Sequence, residues 1–351
     1  MATEKPFSSN SQTGSSVRSV VLGDLLFKTW FQSYYPEDLV AKDTERLYVC
    51  RWCFRYSCDV NAYAKHTCLC ANRTTPPGSK VYEHGGYSVW EVDGEEEKLF
   101  AQNLSLFAKL FVDHKTVFFD VASFLFYVLA FSDPNEPHNT DCHILGYFSK
   151  EKMPWDANNL ACILIFPPYQ HRKLGKLLIS VSYKLSGWEW GSGLIGSPER
   201  PLSELGWKSY SGFWKARVLR HLLFGSHGGH PMVQQDVPAP KAASSRGYKR
   251  KYPSETMTVH EMGLAVGMLS EDVITALNNM GVVEPDQPRK KRKIPRHHPT
   301  DGSGMAIDSG DQAVKIRKST LLEWSKTHSV SLQNPVREEG FLGKWARSKP
   351  V

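Results

Sequence analysis

Cys50, Cys53, His66 and Cys70 are the residues of this chain whose types and spacing most directly imply chemistry, in the pattern C-x2-C-x12-H-x3-C. The two early cysteines are close enough to share one tight turn. His66 and Cys70 are four residues apart and project from the same face if they lie on a helix. Three thiolates and one imidazole complete a closed tetrahedral shell for Zn²⁺, which predicts a structural site, because a catalytic zinc keeps one position open. The alternative is a set of ordinary reduced cysteines beside a surface histidine. Cys58 and Cys68 compete as ligands, but Cys68 is only two residues from His66 and would face away from it on a helix. Both read as free thiols.

A second constellation lies at residues 161–175, ACILIFPPYQHRKLG. An apolar strand ends in two prolines and opens through polar residues into a helix. Backbone N–H groups at such a helix start are unsatisfied and can receive a pyrophosphate. Arg172, Lys173 and Lys176 add positive charge there. On its own this is a weak signal, since a basic loop before a helix is often only solvated.

The elements that position these residues can be read from periodicity. Residues 17–27 alternate as a strand, followed by an aromatic-rich connection over 29–36. The metal module spans 46–70, and Pro76-Pro77-Gly78 closes it off. Residues 87–92 read as a strand, with Asp93-Gly94 a hairpin turn leading to 98–102. Helical spacing of Leu104, Leu106, Phe107, Leu110 and Phe111 predicts a helix over 102–113. Strands are expected at 116–120, 124–131, 143–149 and 159–166, then a basic loop at 170–173 and an amphipathic helix over 175–186. A meander followed by strand, loop and helix indicates an α+β domain reaching to about residue 223. Residues 224–255 read as a linker. Thr258 and Glu261 form a capping box opening a short helix, a second helix runs from Ser270 to Met280, and 313–318 reads as a strand. Two helices and a strand fit a small helix-turn-helix or winged module; the alternative is that they only pack on the main domain. The expected division is a disordered tail at 1–16, a zinc-binding region at 17–85, an α+β core at 86–223, the linker, and a C-terminal region at 256–351 with a basic disordered loop at 285–311.

Composition narrows the class. The chain has 351 residues, 41% of them hydrophobic, enough for a sizeable core. Seven cysteines, an odd number with four claimed by a metal pattern, argue for a reducing compartment. Residues 1–19 are polar and Ser-rich, unlike a signal peptide, and the longest apolar run, 117–131, is interrupted by Asp120 and Ser123 and too short to span a bilayer. A soluble intracellular protein with no membrane partner is expected. The net charge of +7 is concentrated in residues 289–293, Arg-Lys-Lys-Arg-Lys between Pro288 and Pro295, and in 249–251. Such runs suit an import receptor or a nucleic-acid backbone; the alternative is a solvated loop.

Five blocks then carry a resemblance: FAQNL at 100–104, LFAKLF at 106–111, DHKT at 113–116, GYFSKEK at 146–152 and GSPERPLS at 196–203. With the zinc pattern, they resemble the MYST family of histone lysine acetyltransferases over 17–223, and more weakly over 256–283. Gly23-Asp24-Leu25, Trp30, Tyr35-Pro36-Glu37 and the tail at 341–345 look most like the fungal silencing-associated (SAS-type) branch. The resemblance implies an α+β fold with a GNAT-like acetyltransferase core, an N-terminal C2HC zinc finger and a helix-turn-helix or winged C-terminal region.

It also implies transfer of acetyl from acetyl-CoA to a lysine amine, whose ammonium form (pKa ~10.4) must first lose a proton. Glu199 matches the general base; in isolation it would read as a first-turn glutamate favoured by a helix dipole. Cys162 matches the active-site cysteine, for which a transient acetyl-cysteine competes with direct attack by lysine. Direct attack is the expectation here, with Cys162 lining the pocket and the N–H of Cys162 or Ile163 facing the developing oxyanion. By the same resemblance Ile163, Leu164 and Ile165 contact the pantetheine arm. Gln170, His171, Arg172, Lys173, Leu174, Gly175 and Lys176 cradle the pyrophosphate, Ser203 and Gly212 lie at the cofactor's edge, and Lys109 matches an autoacetylated lysine. Lys173 stands where the family has a glycine and His171 where it has an arginine, and residues 188–195 are bulkier than usual. The resemblance further implies a nuclear protein acting on a histone tail, that of H4, within a multisubunit complex, with contact to DNA as a further expectation. The competing reading is a catalytically weakened chromatin-binding or scaffolding subunit. A sequence-specific regulator is disfavoured because one finger reads too few bases.

Overall fold

A computed structural model of the chain describes residues 16–135, 141–190, 196–225, 254–283 and 313–346. The N-terminal tail, most of the 224–255 linker, both basic clusters and residues 191–195 of the bulky segment lie outside the described residues. The described residues of 1–182 and 336–351 form one compact unit and those of 183–335 a second.

In the first unit the alternating stretch at 17–27 is two strands, β1 (Ser19–Leu22) and β2 (Leu25–Lys28). The reason is Gly23, which holds a left-handed φ of 65° and reverses the chain. β3 (Arg46–Val49) runs parallel to β1, and β4 (Tyr56–Ser57) follows antiparallel to β3, giving the order β2-β1-β3-β4. Helix α1 (Val60–Leu69) comes next; Asp59 caps it by accepting from the Asn61 N–H at 2.9 Å.

The principal sheet is antiparallel and contains β5 (Ser79–His84), β6 (Tyr87–Asp93), β7 (Phe124–Phe131), β8 (His143–Glu151) and, after the short β9 (Asn158–Leu160), β10 (Cys162–Ile165). Their order is β10-β8-β7-β6-β5. Between β6 and β7 lies α2, Lys98–Lys109. The Asp93-Gly94 turn therefore opens a helix rather than a hairpin. Asp93 accepts from the Glu95 N–H through its carboxylate (2.8 Å) and from the Glu97 N–H through its carbonyl (2.9 Å), which winds the chain into α2. Residues 116–120 form no strand either. Val117 and Phe118 pack on the core, and the Phe119 carbonyl accepts from the Gln102 side chain at 2.8 Å instead of from a neighbouring strand.

The core of this unit joins both sheets to α2. Phe54, fully buried, lies 5.5 Å from the Phe107 ring of α2 and 5.6 Å from Phe166, which follows β10. At the far edge residues 336–346 cover β5: the Leu342 N–H donates to the Val81 carbonyl (2.9 Å) and Phe341 packs on Tyr82 at 5.0 Å. Covering an edge strand removes a template for unwanted pairing.

The chain passes into the second unit within α3 (Leu174–Glu189), then β11 (Ser197–Pro198) and α4 (Glu204–Phe224). Tyr210, Trp214, Val218 and Leu219 of α4 are completely buried. The C-terminal elements are β12 (Ser254–Thr258), α5 (Val259–Val266), α6 (Ser270–Met280), β13 (Ala313–Arg317) and α7 (Lys318–Thr327), so a second strand and a third helix join the two helices and one strand expected. β12 and β13 pair antiparallel. The capping box is complete, with Thr258 and Glu261 each bonded to the other's backbone N–H. Gly267 takes the left-handed cap (φ 60°) that lets α5 turn into α6.

Candidate functional site

The metal cluster is built by a knuckle and a helix end. After β3 the Cys50 N–H donates to the Arg55 carbonyl (2.9 Å) and the Phe54 N–H to the Cys50 carbonyl (3.0 Å). This tight turn brings Cys50 and Cys53 together. α1 presents His66 in its last turn, and Cys70 caps its C-terminus. The four ligand atoms lie within 4.8 Å of one another, with Cys50 Sγ 3.8 Å from Cys70 Sγ and Cys53 Sγ 3.1 Å from His66 Nε2. Zn–S bonds of about 2.3 Å in a tetrahedron place two sulfurs about 3.8 Å apart, so the donor set fits zinc. Pressed together, the thiols diverge: a hydrogen bond from Cys53 draws Cys50 down to about 5, and Cys53 is pushed up in turn. Cys58 and Cys68 are exposed and outside the cluster. The zinc would brace rather than react, because the next residue, Phe54, is the one inserted into the core.

Cys162 opens β10, which ends the principal sheet and pairs with β8 from Cys162↔Ser149 to Ile165↔Gly146. Leu164 faces the core, while Ile163 and Ile165 alternate to the other face and are half-buried. The Cys162 thiol lies 3.5 Å from the Tyr147 hydroxyl, and Lys115 places its ammonium 6.0 Å from the centre of the Tyr147 ring. Burial pushes Tyr147 well above its ordinary range, with Cys162 adding to the effect, and burial draws Lys115 down. Nothing in the sequence pattern marked Tyr147 or Lys115 as neighbours of Cys162; the β8–β10 register brings Tyr147 there, and Lys115 comes from the segment between α2 and β7.

Beyond β10, residues 167–169 form a single 3-10 turn, and the Gln170 side chain donates back to the Ile165 carbonyl at 2.9 Å. His171 and Lys173 then both adopt left-handed backbone, with φ of 64° and 63°. Alternating backbone of this kind gathers consecutive N–H groups into a concavity suited to anions. It stands at the N-terminus of the 16-residue α3. Leu174 is buried and anchors the turn, Gly175 and Lys176 are half-buried, and His171, Arg172 and Lys173 are exposed.

Lys109 sits in the last turn of α2, buried, with its ammonium donating to the Asp113 carbonyl at 2.7 Å and near the rings of Phe31 and Tyr34. Burial lowers its pKa, opposed by Asp113.

In the second unit Glu199 follows β11 and is exposed. It lies five residues before α4, so it is not a first-turn glutamate of that helix. Ser197 donates to one oxygen of Asp272 on α6 (2.9 Å), and Arg200 pairs with the other. Asp272 read only as part of a helix start in the sequence. Ser203 caps α4 by accepting from the Gly206 N–H at 3.1 Å, and Gly212 is half-buried within α4.

A knuckle of three cysteines and one histidine wedged into an α+β core, an edge strand carrying a further cysteine, and a basic turn opening a helix together define an α+β domain braced by a zinc-type ligand cluster. Comparison with known proteins agrees: residues 75–301 match the MOZ/SAS family and residues 15–70 the MYST family zinc finger domain. The chain belongs to the MOZ/SAS family. It is 36% identical over 265 residues to the histone acetyltransferase Tip60 homolog of Caenorhabditis elegans, covering 76% of this chain and 50% of that protein. It is 38% identical over 262 residues to the histone acetyltransferase MOF of Drosophila melanogaster, covering 75% of this chain and 27% of that one. It is 42% identical over 229 residues to the histone acetyltransferase of the MYST family 2 of Arabidopsis thaliana, covering 65% and 48%. The chain thus spans half or less of the length of these relatives.

Proposed function

We propose that this protein is a histone lysine acetyltransferase. The observation that carries the reading is the MOZ/SAS match over 75–301, a stretch containing Cys162, the 170–176 turn and Glu199. In the proposed reaction Glu199 takes a proton from the lysine ammonium, and the freed amine attacks the thioester carbonyl of acetyl-CoA. The C–N bond forms, the C–S bond breaks, and the CoA thiolate leaves and is protonated. Glu199 is exposed, so the drying that a general base requires has to come from the bound acceptor. Ile163, Leu164 and Ile165 would line the pantetheine arm, residues 170–176 would hold the pyrophosphate, and Ser203 and Gly212 would flank the cofactor. Cys50, Cys53, His66 and Cys70 would hold a structural Zn²⁺. Lys109 would be the autoacetylated lysine; its lowered pKa leaves more of it as free amine.

The finer reading assigns the H4 tail as substrate, a nucleus-located multisubunit complex as setting, contact with DNA, and the fungal silencing-associated branch. The last rests on residues 23–37 and 341–345; the relatives described above come from animals and a plant. Among the described residues no helix is long and apolar enough to cross a membrane. The domain order we propose is a tail at 1–16, the finger region at 17–85, a core at 86–223, a linker at 224–255 and a C-terminal region at 256–351. One observation favours the second reading, a weakened scaffolding subunit: Lys173 holds a glycine-type backbone with φ of 63°.

Titration of the purified chain with acetyl-CoA, then acetylation of an H4 tail peptide by wild type and Glu199→Gln, separates the two. The enzyme reading expects saturable cofactor binding and turnover that Glu199→Gln reduces at least about 100-fold, the range of general-base catalysis. A chain that binds no acetyl-CoA, alone or in its complex, is a scaffold.

A further inference from the structure

Asp272 is completely buried, and a buried carboxylate persists only where its charge is met. Here both oxygens are engaged, Oδ2 by the Ser197 hydroxyl at 2.9 Å and Oδ1 by the Arg200 guanidinium. These donors sit on the two sides of Glu199 along the chain. β11 is two residues long and α4 does not begin until Glu204, so Glu199 lies between the two elements. Arg200 is further placed by the Trp214 ring, 5.8 Å from its guanidinium carbon. Burial raises the Asp272 pKa, while Ser197 and Arg200 work to lower it.

We infer that Asp272 is a positioning residue, which through Ser197 and Arg200 fixes the backbone of residues 197–200 and so aims the Glu199 carboxylate. The inference rests on the reading of Glu199 as general base. A first-turn aspartate of α6 also suits the helix dipole, but that role would stabilise α6 without touching turnover. The two differ in what they predict. A positioning role acts on kcat and through Glu199; a purely structural role acts on stability and independently of it.

The test is a double-mutant cycle in the full chain, with acetyl-CoA and an H4 tail peptide, checked for folding by thermal denaturation. Asp272→Asn keeps the size of the side chain and removes the charge pair. Its kcat should fall about tenfold or more, since a misplacement of even 1 Å costs up to about 100-fold, while acetyl-CoA affinity stays as in wild type. Combined with Glu199→Gln, Asp272→Asn should add no further loss, because its effect passes through the residue already removed. If the two losses multiply, or if Asp272→Asn turns over like wild type, the inference is overturned and the base reading stands. If Glu199→Gln itself turns over like wild type, the base reading fails and the inference falls with it. Should Asp272→Asn not fold, Ser197→Ala breaks one bond and leaves the ion pair; its loss in kcat must likewise vanish in the Glu199→Gln background.

Discussion

His171 and Lys173 hold left-handed backbone at alternate positions of one turn, with φ of 64° and 63°, immediately before α3. For residues with a Cβ this conformation costs roughly 1–2 kcal/mol each. The turn is therefore held in place by what surrounds it: Leu174 is buried behind it and Gln170 is tied to the Ile165 carbonyl.

Lys173→Gly should relieve that strain and let the backbone approach a phosphate more closely. Against this stands the loss of one exposed charge, worth about 1 kcal/mol or less. Comparison with Lys173→Ala separates the two, because alanine loses the charge and keeps the Cβ. Calorimetric titration should rank acetyl-CoA affinity as Gly above Ala, and the melting temperature of Gly above both Ala and wild type. Equal affinities for Gly and Ala would mean that the backbone conformation does not limit cofactor binding.

The metal should be structural in a measurable way. Elemental analysis should find one zinc per chain, lost in Cys53→Ser. Cys53 is followed directly by Phe54, whose ring meets Phe107 and Phe166, so loss of the knuckle loosens the core as well as the finger. Structural zinc contributes about 10–16 kcal/mol in isolated finger peptides, more than the ~3–5 kcal/mol of deleting a buried phenylalanine side chain. Cys53→Ser should therefore destabilise more than Phe54→Ala. It should also shift Trp52 emission to the red, the difference being read against a Trp52→Phe control. A metal-free protein that melts like wild type would make the cluster ornamental.

How much of this was legible beforehand depends on range. The zinc ligands were legible because their spacing is local: a turn holds Cys50 and Cys53, and one helix end holds His66 and Cys70. The capping box at Thr258 and Glu261 was legible for the same reason. The helix at Lys98–Lys109 begins and ends about four residues before the 102–113 that its apolar spacing predicts, since the Asp93-Gly94 pair supports either a hairpin or the first turn of a helix, and only the carbonyl of Asp93 accepting from Glu97 decides between them. Residues 116–120 had strand-like composition but no partner strand, which a single sequence does not reveal. Asp272 was hidden because its meaning depends on Ser197 and Arg200, more than 70 residues away.

Cys162 supplies the remaining prediction. Cys162 stands beside the Tyr147 hydroxyl at the start of β10, and an acetyl-cysteine route would make its sulfur the nucleophile. A covalent route would make the sulfur indispensable, whereas direct attack asks only that the pocket keep its shape. Cys162→Ala removes the Tyr147 hydroxyl's partner at 3.5 Å, for which about 1–3 kcal/mol of stability is the expected cost. Under direct attack its turnover at saturating acetyl-CoA and peptide should fall less than about tenfold, a loss of under about 1.4 kcal/mol in the barrier. Steady-state rates should remain sequential, with lines that intersect. A fall of several orders of magnitude in a folded Cys162→Ala protein, with parallel lines in the wild type, would assign the acyl group to the sulfur and remove direct attack from the mechanism.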